Sequence, residues 1–220
     1  MLNNPVFIVT STINTPLGLI DPATRYSQTL DTIKSIRDKV DGTIVFVENS
    51  TIPLTADQQQ LIENSVDHYI YIGDRTEVIY FNSNGIKGAG ETYMLLVALD
   101  FIKTNDISPD RIFKLSGRYK LSENFNIGIY DETMIGQYCF KTRDQHDHSL
   151  TFLHTRMWSF CTSLLDDART MLQAAMKTHL IEEITIEEAI YKHIDLQKLI
   201  ELETINCEGY IAPWNTLILD

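Results

Sequence analysis

Four short, largely apolar runs, at residues 5–9 (PVFIV), 43–47 (TIVFV), 68–72 (HYIYI) and 111–115 (RIFKL), divide the first half of this chain into alternating segments. Runs of this length, rich in Val, Ile and aromatic residues, suit strands that are covered on both faces. Helical signals separate them. Asp21 can cap and Pro22 suits a first helical turn, and Tyr26, Leu30, Ile33, Ile36 and Val40 then recur at three- and four-residue intervals until Gly42. Thr55 and Gln58 have the spacing of a capping box ahead of Leu61, Ile62 and Val66. After a long polar loop, the glycines at 85, 88 and 90 lead into a helix carrying Met94, Val97, Ala98 and Phe101. Strand, helix and strand at these lengths form parallel crossover units. The expected fold is α/β, a three-layer, doubly wound, mostly parallel sheet over residues 1–120.

Residues 121–220 are less regular. Short strands are expected at 127–130 and 134–140, followed by a helix with Phe160, Leu164, Ala168, Met171 and Ala175 on one face. A second capping box, Thr185 with Glu188, and a hydrophobic staple of Ile184 on Ala189 start a shorter helix that runs to Ile194. This half therefore reads as an acceptor-side, helical C-terminal extension. No composition break marks a linker, so residues 1–220 are expected to form a single domain.

The net charge of −12 repels nucleic-acid backbones and anionic lipid, so any phosphate site must be local. The first apolar run is too short to span a membrane. Cys139, Cys161 and Cys207 lack paired spacing, which fits a reducing, cytoplasmic setting without disulfides or structural zinc. Oligomeric state leaves no signature.

In an open parallel sheet, ligands bind beyond the carboxyl ends of the strands. The residues there are polar: Thr10, Ser11 and Thr12; Glu48, Asn49 and Ser50; Asp74 and Arg75; Ser116, Gly117 and Arg118. Lys87 and Gly88 open a helix whose free amides favour an anion, and Arg25 lies in the first turn of the first helix. Neither the P-loop spacing nor the dinucleotide fingerprint is present. The expected ligand is an anionic nucleotide.

FIVTST, IVFVENST and NGIKGAGETYMLLVALD together resemble glycosyltransferases of the GT-A fold, built on a nucleotide-diphospho-sugar transferase core, over residues 5–120. The resemblance implies transfer of a sugar from a nucleoside diphosphate to a glycan or other hydroxyl acceptor. It also implies that Glu48 contacts base or ribose and that Thr10 and Ser50 hold the nucleoside. Where that family usually carries two aspartates one residue apart for a divalent metal, this chain has KLSGRYKL. Lys114, Arg118 and Lys120 bring positive charge instead, and Arg118 with Lys87 is expected to take over the electrostatic role of the metal. A divalent cation, manganese or magnesium, stays open as an alternative.

An inverting transferase needs a carboxylate to deprotonate the acceptor; the candidates are Asp144, Asp147, Asp166 and Asp167. Asp144, His146, Asp147, His148 and His154 read as an acceptor loop rather than a metal site. Glu187 and Glu188 read as first-turn helix charges, and Trp158, Trp214, Tyr119 and Tyr138 as core. A second reading of the same residues is a catalytically silent nucleotide- or glycan-binding domain. A nucleotidyltransferase would place a Gly-rich, basic loop where TSTINTPLG stands.

Overall fold

A computed structural model describes residues 2, 4–15, 19–130, 134–142, 152–211 and 216–219. Its main sheet begins with β1 (Val6–Ser11), β2 (Thr43–Glu48), β3 (His68–Tyr71) and β4 (Arg111–Ser116). All four are parallel: Val6 lies beside Thr43 on one side and Ile112 on the other, and Val45 lies beside His68. With β6 (Tyr138–Lys141), β7 (Met157–Cys161) and β8 (Leu199–Leu202), the order is β3-β2-β1-β4-β7-β6-β8. The antiparallel strand β7 joins β4 to β6. The doubly wound, mostly parallel sheet is therefore present.

Helices cover both faces because the central strands carry apolar residues on both sides. Val6 and Ile8 of β1 pack toward α4 (Lys87–Thr104), α5 (Leu165–Glu182) and α6 (Ile186–His193). Phe7 and Val9 pack the other way, with Ile33 and Ile36 of α1 (Pro22–Lys39) and Ile62 of α2 (Ala56–Glu63). The predicted caps form. Asp21 accepts from the Thr24 amide with Pro22 at the first position, and Thr55–Gln58 and Thr185–Glu188 close reciprocal capping boxes. Leu61 is an exception to the predicted face, being 48% exposed.

Several expectations are corrected. The stretch after β3 is not a long polar loop: it holds α3 (Thr76–Ser83), with Val78 and Phe81 one turn apart and buried. Ile79 and Tyr80 between them are exposed, so the run VIYF shows no clean period in sequence. Gly88 and Gly90 do not precede α4 but lie in its first turn. A Cβ on Gly88 would come within 2.9 Å of His179 and Ile186, so this glycine permits the close approach of α4 to α5 and α6.

Residues 127–130 form a 3-10 turn instead of a strand, and the strand expected at 134–140 starts only at Tyr138. Phe160 belongs to β7, and Leu164 precedes α5 in a 3-10 turn. The helix-spaced apolar residues run on from strand into helix, which hides the boundary. Nor is the C-terminal part wholly helical. β5 (Tyr119–Leu121), β9 (Cys207–Ile211) and β10 (Thr216–Leu219) form a second, antiparallel sheet of order β10-β9-β5.

Trp158, Tyr119 and Tyr138 are buried as expected, Trp158 stacking on Phe140 at 4.9 Å. Trp214 lies outside the described residues. The three cysteines are buried and form no disulfide among the described residues. No helix among the described residues is long and apolar enough to cross a membrane.

Candidate functional site

The chain leaves β1 toward β2 on one side and, through α4, returns to β4 on the other, so the strand order reverses between β1 and β4. Such a reversal opens a crevice at the carboxyl ends. A cavity of about 300 Å³ lies there, lined by Thr10, Ser11, Thr12, Asn49, Ser116 and Gly117 from the strand ends, with Arg25, Lys87, Glu91 and Arg118 around them.

Its floor is a short hydrogen-bonded lattice. The Gly117 amide donates to the Thr10 carbonyl at 2.8 Å, and Thr29 bridges Ser11 and the Gly117 carbonyl, each at 3.1 Å. A Cβ on Gly117 would sit 3.1 Å from Ser11 Cβ, so glycine lets the tails of β1 and β4 close together. Thr12 donates to Asn49 Oδ1, and the Asn49 amide donates to the Ser11 carbonyl at 3.1 Å.

Three cations face this cavity. Arg25 is held by backbone carbonyls, Nη1 on Thr12 at 2.8 Å and Nε on Ile20 at 3.3 Å. Burial, with the neighbouring Arg118 charge, pulls its guanidinium down to about 10. Arg118 lies with its guanidinium carbon 5.8 Å from the Tyr119 ring centre. Among the described residues neither arginine nor Lys87 makes an ion pair. Like charges converging on one cavity repel one another, and Glu91, which lines the same cavity and feels the Arg118 charge, offsets only part of this.

The other predicted cations are spoken for. Lys114, fully buried, donates to Glu91 Oε1, to Ser116 Oγ at 2.7 Å and to the Thr155 carbonyl, and Lys120 pairs with Glu208 at 2.9 Å. Neither adds free charge to the cavity, which corrects the expectation for KLSGRYKL. Glu91 was missed in the sequence. Burial works to raise its carboxyl, but the Lys114 ammonium holds it below the ordinary range.

Glu48 and Ser50 turn inward and do not line the cavity. Glu48 Oε1 accepts from the Ile13 and Ser50 amides at 3.1 and 2.8 Å and from the Ser50 hydroxyl, while Ser50 Oγ accepts from the Asn14 amide at 2.8 Å. They brace the loop that follows β1. Burial pushes the Glu48 carboxyl from 4.5 up to about 7, against the lowering effect of those hydrogen bonds. Between these values the folded chain holds a proton that the unfolded chain releases, so the stability this proton contributes is complete below the window and lost as pH rises through it. Urea unfolding across that window should show this loss in the wild type and a flatter profile in Glu48→Gln.

Gly88 packs against α5 and α6, not the cavity. Asp166 pairs with Lys103 at 2.7 Å and does not line the cavity, and Asp167 accepts from the Tyr138 hydroxyl at 2.8 Å. Asp144 and Asp147, with His146 and His148, lie outside the described residues. Glu187 and Glu188 lie in the first turn of α6 as expected; Glu188 serves its capping box, and Glu187 accepts from Thr155 Oγ1 at 3.0 Å. Burial above all, with the nearby Glu91 charge, raises its carboxyl. Among the described residues, no three His, Cys, Asp or Glu side chains gather in a metal-binding group. Comparison with models of known protein families and with curated proteins finds no match for this chain.

Proposed function

We propose that the chain is a GT-A-type glycosyltransferase that holds a nucleoside-diphosphate sugar at the β1–β4 crevice and passes the sugar to a hydroxyl acceptor. One observation carries the reading: Arg25, Lys87 and Arg118, without ion-pair partners among the described residues, converge on one cavity in a chain of net charge −12. A diphosphate carries the negative charge that such a group would neutralise. Guanidinium groups bind phosphate oxygens in bidentate fashion.

In the transfer, the bond from the sugar's anomeric carbon to the diphosphate oxygen breaks, the electron pair leaves with the diphosphate, and the acceptor oxygen takes its place while its proton passes to a carboxylate base. Arg118 and Lys87 stabilise the charge that develops on the leaving group. The hydroxyls of Thr10, Ser11 and Thr12 and the Asn49 amide supply neutral contacts for the nucleoside. Manganese or magnesium is an alternative source of the same positive charge.

The catalytically silent binding domain is a second reading, favoured by the engagement of Asp166 with Lys103 and of Glu91 with Lys114. Incubation with sugar nucleotides and hydroxyl acceptors, with manganese or with chelator, tests the two. Release of nucleoside diphosphate that persists in chelator is the expected result. Binding without release favours the silent domain, and neither binding nor release overturns both.

A further inference from the structure

The cavity pairs its cations with a carboxylate. Glu91 lines it, yet a free negative charge beside three cations would weaken the hold on a diphosphate. The structure removes that conflict from behind. Lys114 is fully buried and cannot reach a ligand, and its three donors are spent on Glu91 Oε1, Ser116 Oγ and the Thr155 carbonyl. Ser116 Oγ also donates to Glu91 Oε1, at 3.0 Å. One carboxylate oxygen is thus clamped and its charge compensated. The other, Oε2, accepts no hydrogen bond among the described residues, although the Glu91 side chain is 29% exposed.

A carboxylate fixed in this way is an acceptor for O–H groups. Phosphate oxygens, ionised at neutral pH, offer it nothing, whereas a sugar offers adjacent hydroxyls. We infer that Glu91 is a specificity-determining residue whose Oε2 accepts hydroxyls of the sugar carried by the donor, with Lys114 and Ser116 as its positioning residues. The inference rests on the reading of the cavity as a sugar-nucleotide site. It gives the cavity two kinds of contact, anion binding by Arg25, Lys87 and Arg118 and hydroxyl acceptance by Glu91.

Calorimetric titration tests it with UDP-glucose, UDP-galactose, UDP-N-acetylglucosamine and GDP-mannose, each against its own nucleoside diphosphate. In the wild-type chain at least one sugar should raise affinity over the bare diphosphate, and in Glu91→Gln that gain should fall about tenfold. The bare diphosphate should bind Glu91→Gln as tightly as, or more tightly than, it binds the wild type, because a negative charge has left the cavity. General damage to the fold would instead weaken both ligands together. Glu91→Gln combined with Lys114→Met provides a second variant in which no buried ammonium is stranded, and the same loss of the sugar's gain is expected there.

A gain retained in both variants overturns the assignment of Glu91. So does a wild type that binds the diphosphates but gains nothing from any of the sugars, a result that leaves the nucleotide site standing. Absence of binding by every ligand overturns the nucleotide reading and the assignment of Glu91 with it.

Discussion

If the proposed function holds, Arg118→Ala should lower affinity for a nucleoside diphosphate by about a hundredfold, the effect expected for loss of a bidentate, charge-assisted contact to phosphate. The Arg118 side chain makes no ion pair or hydrogen bond among the described residues; it lies over the Tyr119 ring, with the charges of Arg25 and Glu91 in its neighbourhood. Its loss should therefore change folding stability by no more than about 0.5 kcal/mol, the usual range for a surface substitution. Arg118→Lys keeps the charge but loses the planar fork, and should fall between the two, about tenfold weaker than wild type. Calorimetry and thermal unfolding on the three proteins check this. Unchanged affinity in Arg118→Ala removes Arg118 from the site.

The second large effect concerns stability. Lys114→Met strands Glu91 beside an apolar side chain and leaves the Thr155 carbonyl without its donor. Removing one member of a buried pair costs about 3–5 kcal/mol; Glu91 retains some solvent contact, so about 3 kcal/mol is expected. In a chain of this size that lowers the melting temperature by roughly 6–12 °C. Replacing both partners, with Glu91→Gln added, should recover most of the loss, because no uncompensated charge remains. Equal melting temperatures for the single and double variants would show that the pair is not coupled.

Much of the fold is legible where the signal is local. The Asp21–Pro22 cap, the Thr55–Gln58 and Thr185–Glu188 boxes and the apolar runs of β1, β2 and β4 all act over a few residues. Tertiary context decides the rest. β5 is a strand because Tyr119 lies beside Gly209, a pairing no local pattern announces, and β7 is a strand because its residues 157–161 fill the place beside β4.

The site divides in the same way. The rule of strand ends brings Thr10, Ser11, Thr12, Asn49, Ser116, Gly117 and Arg118 to one cavity, with Lys87 and Arg25. It fails for Glu48 and Ser50 because residues 13 and 14 fold over them and take their hydrogen bonds. Glu91 escaped notice because its partner, Lys114, lies on another element, and only the packing of α4 over the sheet brings them together.

Calorimetric titration of the intact chain with a nucleoside and with its diphosphate, side by side at low and high salt, tests the anionic site most directly. Three cations around one cavity predict that the diphosphate binds at least about a hundredfold more tightly than the nucleoside, an advantage that shrinks as salt rises. Equal affinity for both, insensitive to salt, would contradict a phosphate-binding role for Arg25, Lys87 and Arg118.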